Sequence, residues 1–147
     1  KKKNNSDIEQ KEKYDRVDDA VCAVRSALDE GILPGGGVTL WREGHKLLDG
    51  EDQLAGENLS ESMKAPFRTI MMNAGLSDGD IMEIEGLVSN SESKMGYDVK
   101  DGMFGDMYKM GILDPLKVTK NALKNAVSVA TTILSTNAII TMAREIK

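Results

Sequence analysis

Apolar positions recur at helical spacing over most of the chain. From about Ser6 to Glu30 there is no Gly or Pro. Val17, Val21, Val24 and Leu28, with Ala20 and Ala27 between them, make one stripe along a long amphipathic helix. Gly31 is placed to stop it. Ile32-Leu33-Pro34-Gly35-Gly36-Gly37 follows, a run too rich in glycine for any regular element, and Val38 to Leu48 resumes a helical pattern. Gly50 to Gly56 is polar, a loop or a frayed helix start. Leu59 to Met72 predicts another helix, with Met63, Phe67, Ile70 and Met71 on one side, a kink or division at Pro66, and Asn73-Ala74-Gly75 as its end. Ser77 to Leu87 is a shorter helix with an acidic first turn, and Ser89 to Lys94 a loop. Met95 to Gly111 holds four glycines without a sustained period, which predicts short strands and turns. Pro115 suits the first turn of a last long helix to Leu134, with Val118, Ala122, Leu123, Ala126, Val129, Ala130 and Ile133 as its apolar side. Asn137 to Thr141 is short and β-prone, a strand candidate. The fold class expected is mainly α, a helical bundle with short β-strands.

Composition narrows the function. The 147 residues suit a single domain-sized unit able to bury roughly 70% of its unfolded surface. A net charge of −5 gives no basic face for phosphate backbones, so no nucleic-acid partner is expected. The most apolar stretch, Ala126 to Leu134, is interrupted by Ser128, Thr131 and Thr132, and no run approaches the ~18 residues of a membrane span. Lys1 to Asn5 is basic without an apolar region after it, which predicts a frayed terminus rather than a signal peptide. The single Cys22 rules out an internal disulfide framework and suits a reducing compartment. With His45 as the only histidine and nothing pairing the two, Cys22 reads as a small apolar residue on a helix face.

Two features bear on chemistry. Gly35-Gly36-Gly37 stands directly before a helix, where glycines let backbone N–H groups approach an anion at the positive end of the dipole. The triplet is neither a P-loop nor a dinucleotide fingerprint, and from the residues alone a tight interhelical turn is the plainer reading. Asp18-Asp19 falls mid-helix after Arg16, and Asp is a mediocre helix former. Asp19 lies about 200° from Val17, off the apolar stripe. It is either a solvated residue or a carboxylate that orients a water near a metal–phosphate centre.

Longer blocks carry a resemblance. Lys11-Glu12-Lys13-Tyr14-Asp15-Arg16-Val17-Asp18-Asp19-Ala20, then Val24-Arg25, Glu30-Gly31 and Pro34-Gly35-Gly36-Gly37-Val38, resembles the segment joining the intermediate and equatorial domains of GroEL-type (group I) chaperonins. Ala65-Pro66-Phe67-Arg68 with Asn73-Ala74-Gly75 is similar to the next block. Gly96-Tyr97-Asp98, Asp106-Met107 and Gly111-Ile112-Leu113-Asp114-Pro115-Leu116-Lys117-Val118-Thr119-Lys120 continue it, in order, to about Thr141. The resemblance implies the C-terminal part of the subunit, about its last quarter. Residues 1–30 would end the intermediate domain, and 31–147 would form the C-terminal half of the ATP-binding, ring-contacting equatorial domain.

Carried over position by position, the resemblance makes Asp19 the catalytic carboxylate that polarises the water attacking the γ-phosphate. Gly35 and Gly36 would line ribose and adenine, Asp114 would accept from the ribose, and Ile112 would pack on the base. The cofactors implied are ATP and Mg2+. The family's phosphate-binding glycine–threonine loop and magnesium-binding acid have no counterpart here, so no metal ligand is assigned. Tyr97 and Asp98 fall at the adenine-facing segment, where the family commonly has Asn and small residues and this chain has Asp98-Val99-Lys100. Asp cannot offer the amide donor of Asn, although the backbone could still read the base. The partners implied are identical subunits in heptameric rings, a GroES-type co-chaperonin and unfolded clients, with the last two held by regions absent here. The setting implied is bacterial cytoplasm or an organelle matrix. The alternative function is a helical assembly domain that keeps the fold without ATP turnover.

Overall fold

The structure, a computed structural model, describes residues 3–47 and 53–137. Helix α1 (Lys3–Glu30) runs unbroken until Gly31, where φ is 97°. A three-residue strand follows, β1 (Ile32–Pro34), where the glycine-rich sequence predicts no regular element. It pairs antiparallel with a segment eighty residues on, β4 (Leu113–Pro115), in the register Ile32↔Pro115, Leu33↔Asp114, Pro34↔Leu113. Each proline stands at an end of the ladder, and a lone two-stranded ladder can spare the N–H that proline lacks. Beyond the ends, Leu116 N–H donates to Gly31 O at 3.0 Å and Gly35 N–H to Ile112 O at 2.9 Å.

Helices α2 (Val38–Lys46), α3 (Gln53–Asn73) and α4 (Asp78–Ser89) lie between these strands, with the hairpin β2 (Met95–Asp98) and β3 (Met103–Asp106) and the single turn α5 (Met107–Met110). Helix α3 starts at Gln53, within the stretch expected to be loop or frayed, and passes through Pro66 as one helix rather than dividing there. Pro66 removes the donor that Ser62 O would receive, but both residues are exposed, so water can take that carbonyl. At its end Leu76 N–H donates to Met71 O and Gly75 N–H to Met72 O, with Gly75 left-handed at φ 89°. Helix α4 opens on a reciprocal cap: Asp80 N–H donates to Ser77 Oγ, and Ser77 N–H to Asp80 Oδ2.

The core is where these elements meet. Val38, Trp41, Phe67, Met71, Ile81, Ile84, Val88 and Met107 form one buried cluster. Each such side chain contributes about 1.5–3 kcal/mol on leaving water. The Trp41 ring tilts against Phe67, and its indole N–H donates to Glu85 Oε1 at 2.7 Å. Arg68 holds the same carboxylate through Nε at 2.8 Å and also pairs with Glu61. Burial pushes the Glu85 carboxyl up, but its bonds to Arg68 and Trp41 outweigh that and leave it below the ordinary range.

Helix α6 (Leu116–Leu134) closes the described chain, and none of its residues is buried. The apolar stripes expected on α1 and α6 are present but open to solvent. Val17 is 63% exposed, Leu28 82% and Ile133 55%. The two helices touch through Lys117–Asp29 at 2.7 Å and through Lys120–Glu30. Acids in the last turn of α1 and lysines in the first turns of α6 each oppose their own helix dipole, and pairing them neutralises both mismatches. The strand expected at Asn137–Thr141 lies, from residue 138 on, outside the described residues.

Close approach of α2 to α3 depends on Gly37. It is left-handed at φ 79°, and a β-carbon there would stand 2.8 Å from Phe67 N. Gly75 shares the left-handed backbone, but a β-carbon would meet nothing within 4 Å. Gly37→Ala is expected to destabilise the fold by about 2–5 kcal/mol, from strain and overlap together. Gly75→Ala should show the strain alone, about 1–2 kcal/mol. Urea titrations of the two variants check the difference; equal losses would mean that the contact with α3 carries no weight.

Candidate nucleotide site

The β1–β4 ladder lays the glycine turn across the start of β4. Gly35 is buried, and a β-carbon on it would stand 3.1 Å from the backbone of both Ile112 and Leu113, a tight contact that glycine avoids where the chain leaves β1. Gly36 faces Ile112, whose Cγ2 is 3.9 Å from where a β-carbon would be. Thr39 Oγ1 donates to Pro34 O at 2.8 Å and secures the turn to the first turn of α2. Four residues singled out from sequence, Gly35, Gly36, Ile112 and Asp114, are thereby brought to one place from segments far apart in the chain.

Asp114 is the chemically unusual member. It pairs with Leu33 in the ladder and is partly buried, and its carboxylate has no hydrogen-bond or ion-pair partner among the described residues. Burial raises its carboxyl above the usual carboxylate range. It borders a hollow shared with Thr39, Pro66, Ile70, Val118 and Thr119. A partly desolvated acceptor with open lone pairs beside a glycine turn can take hydroxyl donors from a ligand.

The hairpin forms a neighbouring wall. Tyr97 is partly buried and packs against the same core as Ile112. Asp98, at the end of β2, accepts the Lys100 N–H at 2.8 Å, so its carboxylate is used within the hairpin turn. Arg42 of α2 anchors the approach to the hairpin, donating to Ser91 O, Ser91 Oγ, Glu92 O and Met95 O at 2.9–3.1 Å. Met107 is fully buried beneath it. Arg42 has no sequence signal of its own, being an ordinary charge in an amphipathic helix, and Met107 stands within a resembling block that gives it no role.

Asp19 stands apart. It is exposed on α1, and its carboxylate makes no hydrogen bond or ion pair among the described residues. At 1.5 Å per residue it lies about 16 Å along the helix from Glu30. No grouping of three or more His, Cys, Asp or Glu suited to a metal ion occurs among the described residues. No helix among them is long and apolar enough to cross a membrane.

The TCP-1/cpn60 chaperonin family matches residues 3–144, nearly the whole sequence, and the chain belongs to that family. Among solved structures, a group III chaperonin crystallised in the open state is similar at 34% sequence identity with a TM-score of 0.64. The match covers 78% of this chain and 25% of that one, so the chain spans about a quarter of that relative's length. The resemblance is met at the level of the chaperonin family, not of group I in particular, and the mainly helical fold with short strands is met.

Asp114 offers a direct test. Its raised carboxyl means that the folded state is penalised while the group is ionised. The penalty is present above the folded pKa and relieved as pH falls through the ordinary carboxylate range. Asp114→Asn is therefore expected to raise the melting temperature at pH 7, with the gain shrinking toward pH 3. Thermal melts at both pH values measure it. A variant less stable than the parent at pH 7 would show that the carboxylate serves folding.

Proposed function

We propose that this chain is the C-terminal part of a GroEL-class chaperonin subunit, an ATP-driven machine that encloses unfolded proteins and assists their folding. In this reading α1 belongs to the intermediate domain, and residues from 31 on form the C-terminal half of the equatorial domain. The observation that carries it is the β1–β4 ladder, which sets Gly35 and Gly36 against Ile112 and leaves the Asp114 carboxylate without a partner beside them. Placement in the GroEL class, narrower than the family, rests on the ordered blocks from Lys11 to Lys120, the Gly111–Lys120 run above all. The assembly proposed is a heptameric ring of identical subunits, working with a GroES-type co-chaperonin in bacterial cytoplasm or an organelle matrix.

The residues present fit the nucleoside end of ATP. Asp114 would accept from the ribose hydroxyls and Ile112 would pack on the base; Gly36 is partly open beside Ile112, while the space at Gly35 is taken by the backbone leading into β4. Asp98 is occupied by Lys100 N–H, so base reading in the hairpin falls to backbone groups and to the Tyr97 region. Magnesium bound with ATP neutralises phosphate charge, and its ligands are expected outside this chain. Asp19 would act only if α1 swung toward the ladder. Gly31, at φ 97° with open space around it, is a fitting pivot for a lever about 16 Å long. Closed down, Asp19 would orient the attacking water.

In the complete subunit, Asp19→Ala is expected to leave ATP binding near normal and to slow hydrolysis about a hundredfold or more, because a water-orienting group acts in the transition state. Steady-state turnover beside a binding titration decides it. Normal turnover would return Asp19 to the status of a solvated helix residue. A complete subunit that binds no ATP would favour the reading as an assembly domain without turnover. This chain alone is expected to bind ATP poorly, since the phosphate anchors are elsewhere; micromolar binding by calorimetry would overturn that.

A further inference from the structure

Met107 joins every part of the candidate site that is not already joined by the β1–β4 ladder. It is fully buried, at 0% exposure, and directly follows the hairpin. Its N–H donates to Lys94 O at 3.0 Å, just before β2 begins, and its carbonyl accepts Ile112 N–H at 3.0 Å. The side chain spans the other direction. A β-carbon on Gly96 would stand 2.7 Å from the Met107 sulfur, and one on Gly36 would stand 3.5 Å from its terminal methyl. One side chain thus lies against β2 and the glycine turn together, while the backbone of the same residue holds Ile112.

We infer that Met107 is a positioning residue for base recognition, a strut that fixes the Tyr97–Lys100 wall relative to Gly36 and Ile112. This deepens the nucleotide reading and rests on it. A long, unbranched side chain suits the task, since it must reach from the Gly96 backbone to the glycine turn. Gly96 complements it: the strand at that point has no side chain because the Met107 sulfur occupies the space. With the strut removed the ladder still holds Gly35, Ile112 and Asp114 together. The ribose side of the site should survive while the base side loosens.

The distinguishing readout is the preference for ATP over GTP, compared with overall stability. In the complete subunit, Met107→Ala is expected to narrow that preference about tenfold, the size of an ordinary coupling between linked sites. Met63→Ala removes another buried methionine, from the α2–α3 contact, and is the control for lost packing. It should lower the melting temperature comparably and leave the preference unchanged. Met107→Leu keeps the volume and shortens the reach, so it is expected to fold and still show the narrowing, which covers the case of Met107→Ala failing to fold. An unchanged preference in folded Met107→Leu, or equal narrowing in Met63→Ala, would overturn the inference. If the parent subunit binds neither nucleotide, the nucleotide reading itself fails and the inference with it.

Discussion

Everything between Gly35 and Ile112 hangs from a ladder of three residue pairs. Three helices, a hairpin and a single helical turn form one loop whose ends meet only where Ile32–Pro34 runs beside Leu113–Pro115. Bringing together ends some eighty residues apart costs about 4 kcal/mol in chain entropy. The few hydrogen bonds of the ladder contribute about 0.5–1.5 kcal/mol each, so they roughly balance that cost and leave little over. The junction therefore cannot stand on its own pairing. It holds because the glycine turn leading from β1 presses on α3 at Gly37, and because Met107 anchors Ile112 just ahead of β4. Core packing keeps the ladder closed, and the ladder composes the candidate site.

The same junction sets where the remaining helices can go. Helices α1 and α6 leave the ladder from adjacent residues, Glu30 and Leu116, and lean on one another through two lysine–acid pairs. Exposed pairs of this kind contribute little to stability. They leave α1 weakly restrained along most of its length, with its apolar stripe uncovered. A helix held mainly at one end, beside a glycine with a left-handed backbone, has the mechanical character of a lever. That character is what the proposed role of Asp19 requires.

Sequence reveals the helices and hides the contacts between them. The long Gly- and Pro-free run to Glu30, the capped ends at Gly75 and Ser77, and the helix after Pro115 are all visible because their signals are local. Strand β1 is not: Ile32-Leu33-Pro34 becomes a strand only because Leu113-Asp114-Pro115 arrives beside it from far along the chain. Pro66 misleads for a related reason, since the consequence of its missing N–H depends on whether the freed carbonyl faces water. For the site, Gly35, Gly36, Ile112 and Asp114 are found through resemblance, and folding brings them together. Arg42 and Met107 act through distant backbone atoms, and neither role leaves a local trace.

Asp98 and Asp114 show how structure sorts two carboxylates that the resemblance places at one site. Both follow a strand residue, Tyr97 in β2 and Leu113 in β4. Asp98 accepts a backbone N–H two residues on through Oδ1, which stabilises the hairpin turn and ties its carboxylate to that turn. Asp114 is set among Thr39, Pro66, Ile70 and Val118 with nothing to accept, and burial lifts its pKa as a result. Folding alone favours the first arrangement and opposes the second, because an unpaired carboxylate out of water is a liability that Asn or Thr would avoid. The position that folding opposes is the one for which a ligand offers the better explanation. On that ground Asp114, rather than Asp98, is the aspartate around which a nucleoside site should be sought.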